Sequence, residues 1–94
     1  MKMKTNTITR KFGKSLRLDV TFSNYIESLK ITGNFFLHPE ETLDQITTEL
    51  IGVTVPIQKE FLFRKIKYVL DSNEAEVIGI TLEDILNTLD EATQ

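Results

Sequence analysis

The only histidine, His38, stands two residues before the adjacent acids Glu40 and Glu41, and nowhere else does the chain bring a proton-transfer group so close to paired carboxylates. General acid–base catalysis needs two such groups aimed at one point. Adjacent residues on a helix point in different directions, and Pro39 followed by two acids is the signature of a helix start, where carboxylates meet the positive end of the dipole. His38 is therefore expected as a cap or surface residue, and the two acids as a helix N-terminus. Cysteine is absent, which removes thiolate nucleophiles, disulfides and Cys-ligated metals. No second His stands at ligand spacing, and a hydrolytic triad would depend on His38 alone. Gly13, Gly33, Gly52 and Gly79 are too far apart to cradle a phosphate. No catalytic, cofactor-binding or metal-ligating residue is expected, and the chain is not expected to catalyse a reaction by itself.

The elements that position these residues follow from periodicity. "SLRLDVTF" alternates strictly, with Leu16, Leu18, Val20 and Phe22 on one side and Ser15, Arg17, Asp19 and Thr21 on the other, which is a half-buried strand. "NTITRKF" before it is Thr-rich and weaker, and Phe12-Gly13-Lys14 supplies a hairpin turn. After Ser23-Asn24, "YIESLKIT" resumes as a strand whose phase slips between Ile26 and Leu29, as a bulge or a late start would produce. These make a three-stranded antiparallel meander with one apolar face.

Helices take over after Pro39. Leu43, Ile46 and Leu50 form one stripe that ends near Gly52. Leu62, Ile66, Val69 and Leu70 form a second after Pro56. "TLED" has Thr81 and Asp84 at capping-box spacing before a third stripe of Leu82, Ile85, Leu86 and Leu89. "EVIGI" ahead of it reads as a short extended segment. Strands first and helices after predict a single α+β domain over residues 1–94, with about three helices packed on one face of the meander.

Composition bounds the rest. At 94 residues and 40% hydrophobic content one core is expected. No run approaches the roughly eighteen apolar residues that cross a bilayer, and the N-terminal stretch lacks the apolar segment of a signal peptide. A cytoplasmic protein without membrane contact is expected. Residues 1–34 carry seven Lys/Arg against two acids, and residues 35–94 four against twelve. The overall acidity argues against a nucleic-acid partner, whereas the basic front third suits a solvated sheet face or a docking surface.

Between the sheet and the first helix, "KITGNFFLHPEETLDQITTELIG" resembles the accessory C-terminal domain of lipoate-protein ligases, in which a strand runs into an ITGDFF-like motif and a Pro-Glu-Glu helix start. "KFGKSLRLDV" is similar to the opening Gly-Lys hairpin of that domain, and "VIGITLEDILNTL" to its closing turn and short helix. The resemblance covers nearly the whole chain. Asn34 departs from it, standing where the family usually has Asp; Asn retains an Asx-type turn with the following backbone but not the charge.

What the resemblance implies is a separate, noncatalytic small subunit of the kind found in some archaea. It would bind a catalytic lipoate-protein ligase subunit and enable the step in which lipoate and ATP become lipoyl-adenylate and pyrophosphate, ahead of transfer to a lipoyl-domain acceptor protein. ATP with Mg and lipoate would belong to the catalytic partner. The motif and interface residues it points to are Gly13, Lys14, Arg17, Gly33, Asn34, Phe35, Phe36 and Pro39. The residues themselves allow a second outcome, a free-standing protein-binding adaptor. In either, Phe35 and Phe36 diverge after Gly33, so that one ring seals the core and the other reaches a second apolar layer or faces outward as an anchor.

Overall fold

The computed structural model describes residues 3–94. The elements run β1 (Lys4–Phe12), β2 (Lys14–Phe22), β3 (Ile26–Gly33), β4 (Phe36–His38), α1 (Glu41–Leu50), α2 (Lys59–Ser72), β5 (Glu76–Ile78) and α3 (Leu82–Ala92). The first three strands form an antiparallel sheet in the order β1-β2-β3, and β4 and β5 form a separate two-stranded antiparallel sheet.

The central strand behaves as its alternation requires. Leu16, Leu18, Val20 and Phe22 are buried, and each contributes roughly 1.5–3 kcal/mol by leaving water. The phase slip in β3 is a bulge: Phe22 pairs with Ile26 and Thr21 with Ser28, which leaves Glu27 as the extra residue. The bulge keeps Ile26, Leu29 and Ile31 on the core side.

Three helices cover that apolar face. α3 lies against β1 and β2, α1 against β3, and α2 packs on both other helices. Leu82, Ile85, Leu86, Leu89 and Ala92 of α3 are all buried. Its start is a reciprocal capping box, with Asp84 N–H donating to the Thr81 hydroxyl at 3.1 Å and Thr81 N–H to the Asp84 carboxylate at 2.8 Å. Its end is tied to the first strand: Asn6 Nδ2 donates to the Ala92 carbonyl at 2.7 Å, and Arg10 meets Glu91 at 2.6 Å.

α1 differs from the expectation in its start and its phase. Pro39 precedes the helix rather than opening it, following a cis bond from His38, and its carbonyl accepts from Thr42 N–H at 3.1 Å. Neither His38 nor Glu40 caps the helix by a side chain. The buried row runs Thr42, Ile46 and Leu50, with Leu43 only half-buried beside it. The segment after α1 is stitched to the start of β3 by Gly52 N–H to Ile26 O at 2.8 Å and Ile26 N–H to Val53 O at 2.9 Å. Gly52, at φ +89°, provides the left-handed exit.

The two-stranded sheet was not foreseen. "EVIGI" is extended as expected, but its partner is the three-residue β4 immediately after the Phe35-Phe36 step, paired as Phe36 with Ile78, Leu37 with Val77 and His38 with Glu76.

Candidate docking surface at the junction of the two sheets

The turn from β3 into β4 is held by a backbone approach that excludes a side chain. A Cβ on Gly33 would overlap the Ser15 carbonyl oxygen and press on the Phe35 ring. Glycine is therefore required at this crossing. Asn34 then closes it. Its side-chain oxygen accepts from Ser15 N–H at 2.6 Å and from the Ser15 hydroxyl at 2.9 Å, and its own N–H donates to the Ser15 carbonyl at 3.3 Å. This is a clamp onto the start of β2 and not the Asx turn expected, the side-chain oxygen being taken up by Ser15.

Beyond the clamp the two phenylalanines part. Phe35 is half-buried and packs on the core, whereas Phe36 is 67% exposed on β4. Opposite Phe36 on β5 stands Ile78, 52% exposed, so the small sheet presents a cross-strand apolar pair to solvent. The tip of the β1–β2 hairpin reaches the same place. The Lys14 stem lies over Gly79 so closely that a Cβ there would collide with it, and Gly13 faces the Gly79 carbonyl. Phe12, at the end of β1, is 37% exposed.

Of the residues picked out in the sequence, Gly13, Lys14, Gly33, Asn34, Phe35 and Phe36 therefore lie around the junction of hairpin tip, β3–β4 turn and small sheet. Arg17 does not join them: it lies on the open face of β2, its guanidinium 3.2 Å from Asp19. Pro39 sits beyond β4 at the entry to α1. Ile78 and Gly79 complete the junction and were missed, since only the pairing of "EVI" with β4 marks them. A groove of about 640 Å³ runs beside it, with Ile31, Phe35, Phe36 and Leu43 as its apolar lining and Glu40 and Asp44 on its rim.

The surroundings contain little that could react. His38 is exposed and paired across strands with Glu76. Among the described residues no group of three His, Cys, Asp or Glu side chains is placed to hold a metal. No helix among the described residues is long and apolar enough to cross a membrane. On the open face, Asp19 is held below the ordinary carboxylate value, first by the Thr7 hydroxyl at 2.6 Å and then by Arg17. The arrangement suits burial against a protein surface: an apolar pair, a lysine beside it, and a backbone fixed from behind.

No family model matches the chain, and no curated protein matches it. Among solved structures, a chain from an archaeal lipoylation system superposes on it with a TM-score of 0.75, covering 94% of this chain and 97% of that one. That system comprises a bipartite lipoate protein ligase and its E2 lipoyl domain from Thermoplasma acidophilum, and the identity is 19%. The chain has the fold of a lipoylation-system component. Coverage this complete on both sides carries the shared fold beyond the meander into the helical layer. It agrees with the likeness carried by the Gly-Asn-Phe-Phe and Pro-Glu-Glu run.

Proposed function

We propose that the chain is the noncatalytic small subunit of a two-part lipoate-protein ligase, which docks on the catalytic subunit and enables ATP-dependent formation of lipoyl-adenylate. The observation that carries this reading is the Phe36–Ile78 pair, exposed on a fold shared with a chain of a bipartite ligase system. Rigid, exposed apolar anchors on a fixed backbone are what a protein partner buries at an interface centre. In the reaction, a lipoate carboxylate oxygen attacks the α-phosphorus of ATP and pyrophosphate leaves. Lipoate, ATP and Mg would be held by the partner. This chain's part is to bind the adenylating conformation of that partner better than its alternatives, and so raise its population.

A second reading has one observation in its favour. Lys14 is an exposed lysine at a hairpin end, and a lysine amine is the acceptor in protein lipoylation, so the chain would itself be the modified domain. The docking reading is preferred because the Lys14 stem lies against Gly79 and helps build the junction.

One experiment separates these. The chain is mixed with a lipoate-ligase catalytic subunit from the same source, lipoate, ATP-Mg and a lipoyl-domain acceptor, and pyrophosphate release and the mass of every component are followed. Docking predicts release that depends on this chain, lipoylation of the acceptor, and no change in this chain's own mass. A lipoyl adduct on Lys14 would replace it with the acceptor reading. Neither adduct nor activation would leave an adaptor outside lipoylation.

A further inference from the structure

The nine residues of β1 pair with β2 along one edge only, and the other hydrogen bond to their backbone among the described residues is local, from the Arg10 guanidinium to the Thr9 carbonyl at 3.1 Å. An antiparallel edge of this length offers alternate N–H and C=O groups to any strand that can lie beside it. What can lie there is restricted by charge. β1 carries Lys4, Arg10 and Lys11 and no acid. A second copy paired antiparallel in full overlap would set Lys4 opposite Phe12 and Arg10 opposite Asn6, bringing more positive charge to the edge and no counter-charge. Its own kind is therefore a poor occupant.

The same edge is suited to carboxylates, and the sheet contains its own example. Thr5, Thr7, Thr9 and Lys11 share the open face of β1. Across the ladder from Thr7, Asp19 of β2 accepts the Thr7 hydroxyl at 2.6 Å. A strand added on the other side would set its open-face side chains against that same row, with the hydroxyl of Thr9 and the ammonium of Lys11 as donors. We propose that the free edge of β1 takes up an extended, carboxylate-bearing segment of a partner protein as a fourth strand. This edge nears the junction that holds Phe36 and Ile78 only at its Phe12 end, and the inference stands independently of the lipoylation reading.

The test uses blocked peptides as long as β1, one alternating Glu with Val and one alternating Lys with Val, and follows backbone amide exchange in the full chain. The Glu peptide should slow alternate amides within Lys4–Phe12, with the effect fading as salt rises. The Lys11→Glu variant should bind it about fivefold more weakly, and the Lys11→Gln variant should fall between. Lys11 is exposed, so the fold should be unchanged. No protection in β1, equal binding of the two peptides, or protection confined to β4–β5 or the helices would overturn the proposal. Self-association of the parent chain through β1 would do so as well, by making a second copy the occupant.

Discussion

The side-chain oxygen of Asn34 sits 2.6 Å from the backbone nitrogen of Ser15 and 2.9 Å from its hydroxyl, joining the end of β3 to the start of β2 across 19 residues. Only acceptor capacity is used in those two bonds. Asn34→Asp should therefore retain the clamp, with charge-assisted bonds replacing neutral ones. Asn34→Ala should lose about 1 kcal/mol in urea unfolding. Equal losses in the two variants would show that the amide nitrogen matters instead.

Burial separates two leucines that the sequence treats alike. Leu18 is fully buried in the central strand, whereas Leu43 is half-buried on the flank of α1. Leu18→Ala should cost about 2–5 kcal/mol, a large share of the stability of so small a domain. Leu43→Ala should cost about 1 kcal/mol, in proportion to the area it removes from water. Thermal and urea unfolding of the pair measures the difference.

Thr42 is buried, and its hydroxyl has no hydrogen-bond partner among the described residues. Thr42→Val replaces that hydroxyl with a methyl of similar size and should stabilise the domain by about 1 kcal/mol, since an unmet buried donor carries a desolvation penalty. Thr42→Ser keeps the hydroxyl, loses the methyl and should destabilise. Opposite signs in the unfolding midpoints are the expected result.

Phe35 and Phe36 should part company on truncation. Phe35→Ala removes a ring packed on the core and should lower the unfolding temperature. Phe36→Ala should keep the fold and weaken association with a catalytic subunit by about 2 kcal/mol. Calorimetric titration of the two variants against that subunit, alongside their melting curves, reads both effects.

Asp19 gives a pH dependence with a defined sign. Its carboxyl is held below its ordinary value of 3.8 by the Thr7 hydroxyl and Arg17. A depressed folded-state value means that the stabilisation is fully present above that ordinary value and is lost as pH falls through the folded one. The gap in urea midpoint between the parent and Asp19→Asn should stay constant at neutral pH and close in acid.

Local signals with a short reach were legible in the sequence. The strict alternation of Leu16 to Phe22, the phase slip at Glu27 and the Thr81–Asp84 spacing each depend on neighbours within a few positions, and each has its expected counterpart in the fold. The misses share a longer reach. Asn34 bonds to Ser15, β4 finds β5 some forty residues on, and Gly79 is required because Lys14 crosses it. None of these partners can be inferred from spacing. They arise only when the β1–β2 hairpin and the small sheet are folded onto each other. The placement of Phe36 shows both sides: that two adjacent rings diverge follows from the strand period, but which one faces water was set by the unforeseen pairing with Ile78.

The bonds from Asn6 to Ala92 and from Arg10 to Glu91 tie the first strand to the last helix, 86 and 81 residues apart. Contacts so distant along the chain must be closed against the entropy of nearly the whole intervening loop, which slows folding relative to a helical bundle of equal length. α3 is the helix that lies on β1 and β2, so burial of Leu18 and its neighbours there is complete only when the two ends of the chain have met.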